Sequence, residues 1–314
     1  MTGIQRTLSA LLIAASLAGG HAAVAQTSEV WSDDVVVSAK ASGPAVWRLR
    51  RGNSEVIVIG ILPVFPKSQT WRTRRIENAL KGAQALITPP ATKVGIGDMF
   101  GMMSAKNLPN KKKLKDSLPP ALNARYEATA ARAGISIKDF ARDKPVWAGA
   151  RLRREVLERR GLSADEPMQT IVRLAHRNGV QVRPSGKYKI SPILKDVNAM
   201  DEDAGEYCMT RTLDDIDFDI DRLPKAAAAW SVGDTRTVLA NYHGSALMDC
   251  LDGSGKGAAV MERSVVDAVD AIEDALQSPG KTVAIVPLAP LLRKGGALDR
   301  LRAKGVAITS PEDK

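Results

Sequence analysis

The chain has 314 residues, 25% of them charged and 4% aromatic, with a formal net charge of +10. That length suits one large α/β domain or two small ones, and the Ala, Val and Leu content suits a helix-rich core. The basic residues are scattered. The one dense run, Lys111-Lys112-Lys113 with Lys115, lies beside Pro109 and Pro119-Pro120 without interleaved aromatics. This excludes a specific nucleic-acid site and leaves a solvated loop or weak attraction to anionic surfaces.

Residues 1–25 read as a signal peptide. Arg6 gives a positive start, Leu8 to Leu17 is a short apolar run, and Ala23-Val24-Ala25 is a small-residue cleavage pattern. A bilayer-spanning helix takes about 20 residues, so this run does not span, and no later stretch is long and apolar enough. The expectation is a periplasmic or secreted protein, cleaved near Ala25, with no membrane span. Residues 26–43 read as a linker or a loose first strand.

Residues 44–309 read as a single α/β domain, with two independent domains as the alternative. Val46 to Arg50 alternates apolar and charged residues like a half-exposed strand. After the turn Arg51-Gly52-Asn53, the apolar run Val56 to Leu62 is a buried strand, so the two are expected to form an antiparallel hairpin. Helical spacing covers Trp71 to Ala83, and Ala85-Leu86-Ile87 is a short strand, completing a parallel β-α-β unit. Helices are expected at Pro119–Ala133, Lys144–Arg160 and Asp165–Asn178, with Arg151/Glu155 and Arg154/Glu158 spaced to pair. Val180-Gln181-Val182 is a further strand. Between Asp203 and Leu251 the pattern predicts three helices punctuated by Pro224 and Gly233, and Glu262 to Leu276 carries an apolar stripe. A second β-loop-α-β unit, Lys281 to Thr309, closes the fold before a polar tail at 310–314. The two units are expected to share one mixed sheet, with a helical insertion at about 96–178 and a helical segment at about 203–277 between them.

In open α/β sheets, ligands and catalytic groups collect at the carboxyl ends of the strands. Here those loops run Gly60-Ile61-Leu62-Pro63 and Val286-Pro287-Leu288-Ala289, with no His, Cys, Asp or Glu. Mature histidines are His176, late in an amphipathic helix, and His243, in a helix-end setting. The stretch Asp214 to Asp221 is acidic but lacks the Gly and Glu of a calcium loop, and reads as a solvated helical face. Cys208 and Cys250 are expected to form a disulfide, the usual fate of an even pair in an exported chain, with two separate thiols as the alternative.

Several anchors in order resemble the TraB/GumN family, which also includes the TIKI-type metalloproteases. They are Pro44-Ala45-Val46-Trp47, Gly60, Trp71, Lys144-Pro145-Val146-Trp147, Ala229-Trp230-Ser231-Val232-Gly233-Asp234, Glu262-Arg263-Ser264 and Leu301-Arg302-Ala303-Lys304-Gly305. The resemblance implies metal-dependent hydrolysis through two Gly-x-x-His motifs, one per β-loop-α-β unit, aided by acids at other strand ends. Carried over, the first histidine position is Pro63 and the second is Ala289. The acid expected after Leu86-Ile87 is replaced within Thr88-Pro89-Pro90, and the one after the middle strand by Arg183-Pro184. These losses predict that no metal or other cofactor is held.

Three functional readings follow. The first is a non-catalytic envelope module that binds a protein, a peptide or a small acidic ligand in the old cleft. The second is a hydrolase or peptidase with a divalent metal and a rebuilt site at His243, Asp234 and Arg263. The third is a basic protein that binds anionic envelope polymers. Arg263 is the one family-site residue whose type still suits ligand binding, against an ion pair with Glu262 or Asp267.

Overall fold

The computed structural model describes residues 43–93, 95, 106–189, 191–242, 250 and 257–311. The expected signal peptide, nearly all of the expected linker, and His243 lie outside them.

Strands β1 (Val46–Arg51) and β2 (Ser54–Ile61) form the expected antiparallel hairpin. All but one residue of β2 is buried, as a strand covered on both faces requires. A two-residue strand β3 (Phe65–Pro66) precedes helix α1 (Arg74–Leu80). This helix is shorter than the Trp71–Ala83 expected, because Trp71 is drawn out of it to pack edge-on against Trp230. Then come β4 (Ala85–Thr88) and β5 (Ala91–Lys93).

The middle of the chain holds α2 (Pro120–Arg132), α3 (Pro145–Arg159), β6 (Leu162–Ser163) and α4 (Met168–Arg177). Proline opens both α2 and α3, where its missing N–H costs nothing. Of the two spaced pairs on α3, Arg154 meets Glu158 at 3.9 Å, whereas Arg151 turns to the buried Asp143 at 2.7 Å and lies over the Phe140 ring. Strands β7 (Gln181–Pro184) and β8 (Lys187–Lys189) lead into α5 (Ser191–Asn198).

Helix α6 (Glu202–Ser231) corrects the expectation of separate helices, for it runs 30 residues with Pro224 inside it. A proline in a helix interior costs about 3 kcal/mol. Burial of Leu223, Ala226, Ala227 and Trp230 around it outweighs that cost. Asp201 caps its start by accepting from the Ala204 N–H. Helix α7 (Thr235–Ala240), α8 (Gly257–Leu276), β9 (Gly280–Pro287), α9 (Leu288–Leu292), α10 (Ala297–Ala303) and β10 (Ala307–Thr309) complete the chain.

Six strands form one mixed sheet in the order β10-β1-β2-β9-β4-β7. Only β1 runs against the rest. Strand β9 inserts between β2 and β4, so the first β-α-β unit is parallel but its strands are not neighbours. The main core packs on this sheet, and a second apolar cluster holds Tyr126, Phe140, Leu152, Met209 and Leu213 among the helices. Helix α6 supplies Met209 and Leu213 to the second cluster and Ala226 and Trp230 to the first, and so forms a shared spine. Cys208 on this spine is disulfide-bonded to Cys250. No helix among the described residues is long and apolar enough to cross a membrane.

The acidic stretch on α6 is a solvated face only in part, with Asp221 exposed. Asp215 and Asp219 are buried, and Arg153 reaches Asp219 at 2.5 Å. Arg125 bridges Asp214 at 2.8 Å and Asp217 at 3.0 Å. Arginines on α2 and α3 pair these acids, Asp215 and Asp219 in the interior and Asp214 and Asp217 at the surface, and they are recruited only when the helices pack.

Candidate functional site

The parallel register pairs Gly60 with Val286 and Ile61 with Pro287. The two loops that the family resemblance singles out, far apart in the chain, therefore lie side by side at the carboxyl ends of β2 and β9. Strands β4 and β7 end beside them at Thr88 and Pro184. This is where an α/β sheet of this kind places its ligand crevice.

Among the described residues the crevice is closed. Pro89 and Pro90, Ser185, Ser264 and Pro287 enclose a cavity of about 10 Å³, room for about one water. On the β2 side, Leu288 and Leu291 are buried over Gly60. A methyl group added at Gly60 would lie 2.6 Å from Leu288 Cδ2, 3.0 Å from Trp47 Cζ3 and 3.1 Å from Leu291 Cδ2. Glycine suits this position because the leucines and Trp47 occupy the space above it. Trp47 itself is fully buried, and its indole N–H has no partner among the described residues.

A short ribbon covers the remaining edge. Past Pro89-Pro90 and Ser185-Gly186, the β4·β7 pairing resumes as β5·β8. The ribbon is fixed to α8 by a hydrogen bond that the Tyr188 hydroxyl donates to the Asp267 carboxylate. A Cβ at Gly186 would lie 2.5 Å from Asp267 Oδ2, so a side chain there would have to displace the Asp267 carboxylate that holds Tyr188. Burial, and then the hydrogen bond to the Asp267 carboxylate, push the Tyr188 phenol up to about 12.

The remaining site candidates have structural work. Arg263 is exposed, stands 3.8 Å from Asp267 Oδ1 and lies over the Tyr188 ring at 5.6 Å. Its ion pair is with Asp267. Neighbouring Glu262 is instead held by both guanidinium nitrogens of Arg300, at 2.5 and 2.7 Å, which keeps its carboxyl below the usual range. Asp234 caps α7, accepting from the Thr237 N–H at 3.0 Å and the Thr237 hydroxyl at 2.7 Å. Gly233 ends α6 with φ +77°. Its N–H bonds the Trp230 carbonyl, and the Asp234 N–H bonds the Ala229 carbonyl, the double bond of a Schellman stop. His176 is exposed in the last turn of α4.

The metal that the resemblance implies does not fit these residues. Pro63 is exposed, Pro89 is half-buried and Ala289 is buried in α9, and none has a side-chain atom able to hold a cation. Among the described residues, no group of three or more His, Cys, Asp or Glu could hold one.

An open cleft of about 520 Å³ lies instead between the β3–α1 connection and the start of α4. Trp71 and Pro66 form its apolar part, and Gln69, Thr70, Asp165 and Gln169 are among its polar groups. The sequence marks Trp71 as a helix start and a family anchor and Asp165 as a helix start, neither of them as a cleft residue. The short β3·β6 pairing, Phe65 with Ser163 and Pro66 with Leu162, brings the two segments together, and two-residue strands leave no periodic signal.

A family model for the TraB/PrgY/gumN family matches residues 45–310. No curated protein and no solved structure matches the chain.

Proposed function

The chain belongs to the TraB/PrgY/gumN family, and from that premise we propose that it is an exported member without the metal-dependent hydrolysis the resemblance implies. It acts as a non-catalytic binding or assembly module in the cell envelope. The observation that carries this reading is the closed crevice. Residues without ligand atoms stand at Pro63, Pro89 and Ala289, and leucines are buried over Gly60. A cavity of about 10 Å³ admits no peptide or acidic ligand, so binding takes place outside the old crevice.

The rebuilt-hydrolase reading draws no support from Asp234 and Arg263, since one caps a helix and the other braces the Tyr188 ribbon. Metal content decides between the readings. Mature protein exposed to zinc, manganese and cobalt, then desalted, is expected to carry no stoichiometric metal and to hydrolyse no peptide. One tightly held ion per chain would overturn the proposal.

A further inference from the structure

We propose that the cleft between the β3–α1 connection and α4 is a binding site for a neutral oligosaccharide. The proposal rests on reading the protein as a binding module and supplies the chemical class of its ligand.

The cleft has the volume of a small-molecule site, about 520 Å³. Its wall combines one aromatic face with many uncharged hydrogen-bonding groups. Trp71 is half-buried, and the edge contact with Trp230, 5.2 Å between ring centroids, fixes its orientation. A held indole presents a flat apolar face suited to the C–H face of a pyranose ring. Around it, Thr70, Gln169 and the amide oxygen of Gln69 offer donors and acceptors, the mixture that hydroxyl groups require, while the Thr73 and Thr170 hydroxyls donate to Glu77 and Glu166.

The charges argue against other ligands. Among the described lining residues Lys67 is the only cation, set against Asp165 and Glu166, so a phosphate or carboxylate ligand finds no cluster of positive charge. Glu166 already accepts from Thr170 at 2.6 Å and from Arg173 at 3.1 Å, which leaves Asp165 and Lys67 roughly balanced for an incoming cation. A lipid or purely apolar ligand would leave these polar groups desolvated and unpaired.

The test uses the mature full chain with chitotetraose, cellotetraose and maltotetraose as probes, read by saturation-transfer NMR. At least one tetrasaccharide is expected to receive saturation, and that signal is expected to be lost in Trp71→Ala and strongly reduced in Gln169→Ala. Gln169 is exposed, so its variant reports on the cleft even if Trp71→Ala fails to fold. Absence of transfer to all three sugars, or transfer that survives both substitutions, would overturn the site. So would tetralysine binding at the same cleft, lost in Asp165→Asn. A saccharide bound but recovered shortened would support the site while overturning the non-catalytic reading, so the two proposals fail separately.

Discussion

The indole N–H of Trp230 donates a 2.7 Å hydrogen bond to the backbone carbonyl of Gly60, across 170 residues of sequence. It ties the end of the α6 spine to the strand end where the family resemblance places its first histidine motif. Trp230→Phe keeps an aromatic ring beside Phe65 and Trp71 but removes the donor. The expected loss is about 1–3 kcal/mol, seen as a lower urea midpoint with an unchanged slope. An unchanged midpoint would show that the bond contributes nothing.

Gly60→Ala forces a methyl into Leu288, Trp47 and Leu291, an overpacking that costs about 1–3 kcal/mol. Adding Leu288→Ala opens space beside that methyl. The double variant is therefore expected to be less destabilised than the sum of the singles. Additive values in a double-mutant cycle would mean that the leucine does not fill this space.

The ribbon predicts a response to alkali. The Tyr188 phenol is raised to about 12 in the folded protein, against about 10 unfolded. The neutral phenol is the form the fold favours, so its contribution is complete below about pH 10 and disappears as pH rises towards 12. Wild type should lose stability over that interval more steeply than Tyr188→Phe, and absorbance titration should show one fewer late-ionising tyrosine in the variant. Parallel stability curves would contradict the assignment.

Two ion pairs made by neighbouring arginines of α3 should differ widely in worth. The Asp219 side chain is 9% exposed and bonds Arg153 at 2.5 Å, whereas Glu158 is 62% exposed and 3.9 Å from Arg154. Asp219→Ala should cost about 3 kcal/mol, towards the lower end for a broken buried pair, because Asp215 remains 3.9 Å from Arg153. Glu158→Ala should cost less than about 0.5 kcal/mol. Chemical denaturation of the two variants checks the ranking.

The Cys208–Cys250 bond joins residues 42 apart. In the chain-entropy model a loop of that length contributes about 4 kcal/mol by restricting the unfolded chain. Unfolding in the presence of a reductant should show a loss of that order, while Cys208→Ser/Cys250→Ser should be insensitive to reductant.

Much of the fold was legible because it is written in local periodicity. The hairpin of β1 and β2, the stripe on α8 and the proline starts of α2 and α3 follow from alternation, helical spacing and backbone chemistry. Pro224 misled because local propensity counts a proline as a break, whereas in α6 apolar burial on either side holds the helix together. The acidic stretch misled for a related reason, since its arginine partners come from helices distant in sequence. The open cleft depends on two two-residue strands, too short to produce any pattern.

The sequence by itself determined the family, the α/β class, the cysteine pair and the residues without ligand atoms at Pro63, Pro89 and Ala289, because each is a matter of residue type and order. The tertiary structure alone decided that the crevice is closed and that the open cleft lies elsewhere. Whether Leu288 and Leu291 fill the space above Gly60, and whether Tyr188 reaches Asp267, depends on the parallel register of β2 with β9 and on the packing of α8. Those contacts join segments that are far apart along the chain, where local sequence pattern carries no information about distance.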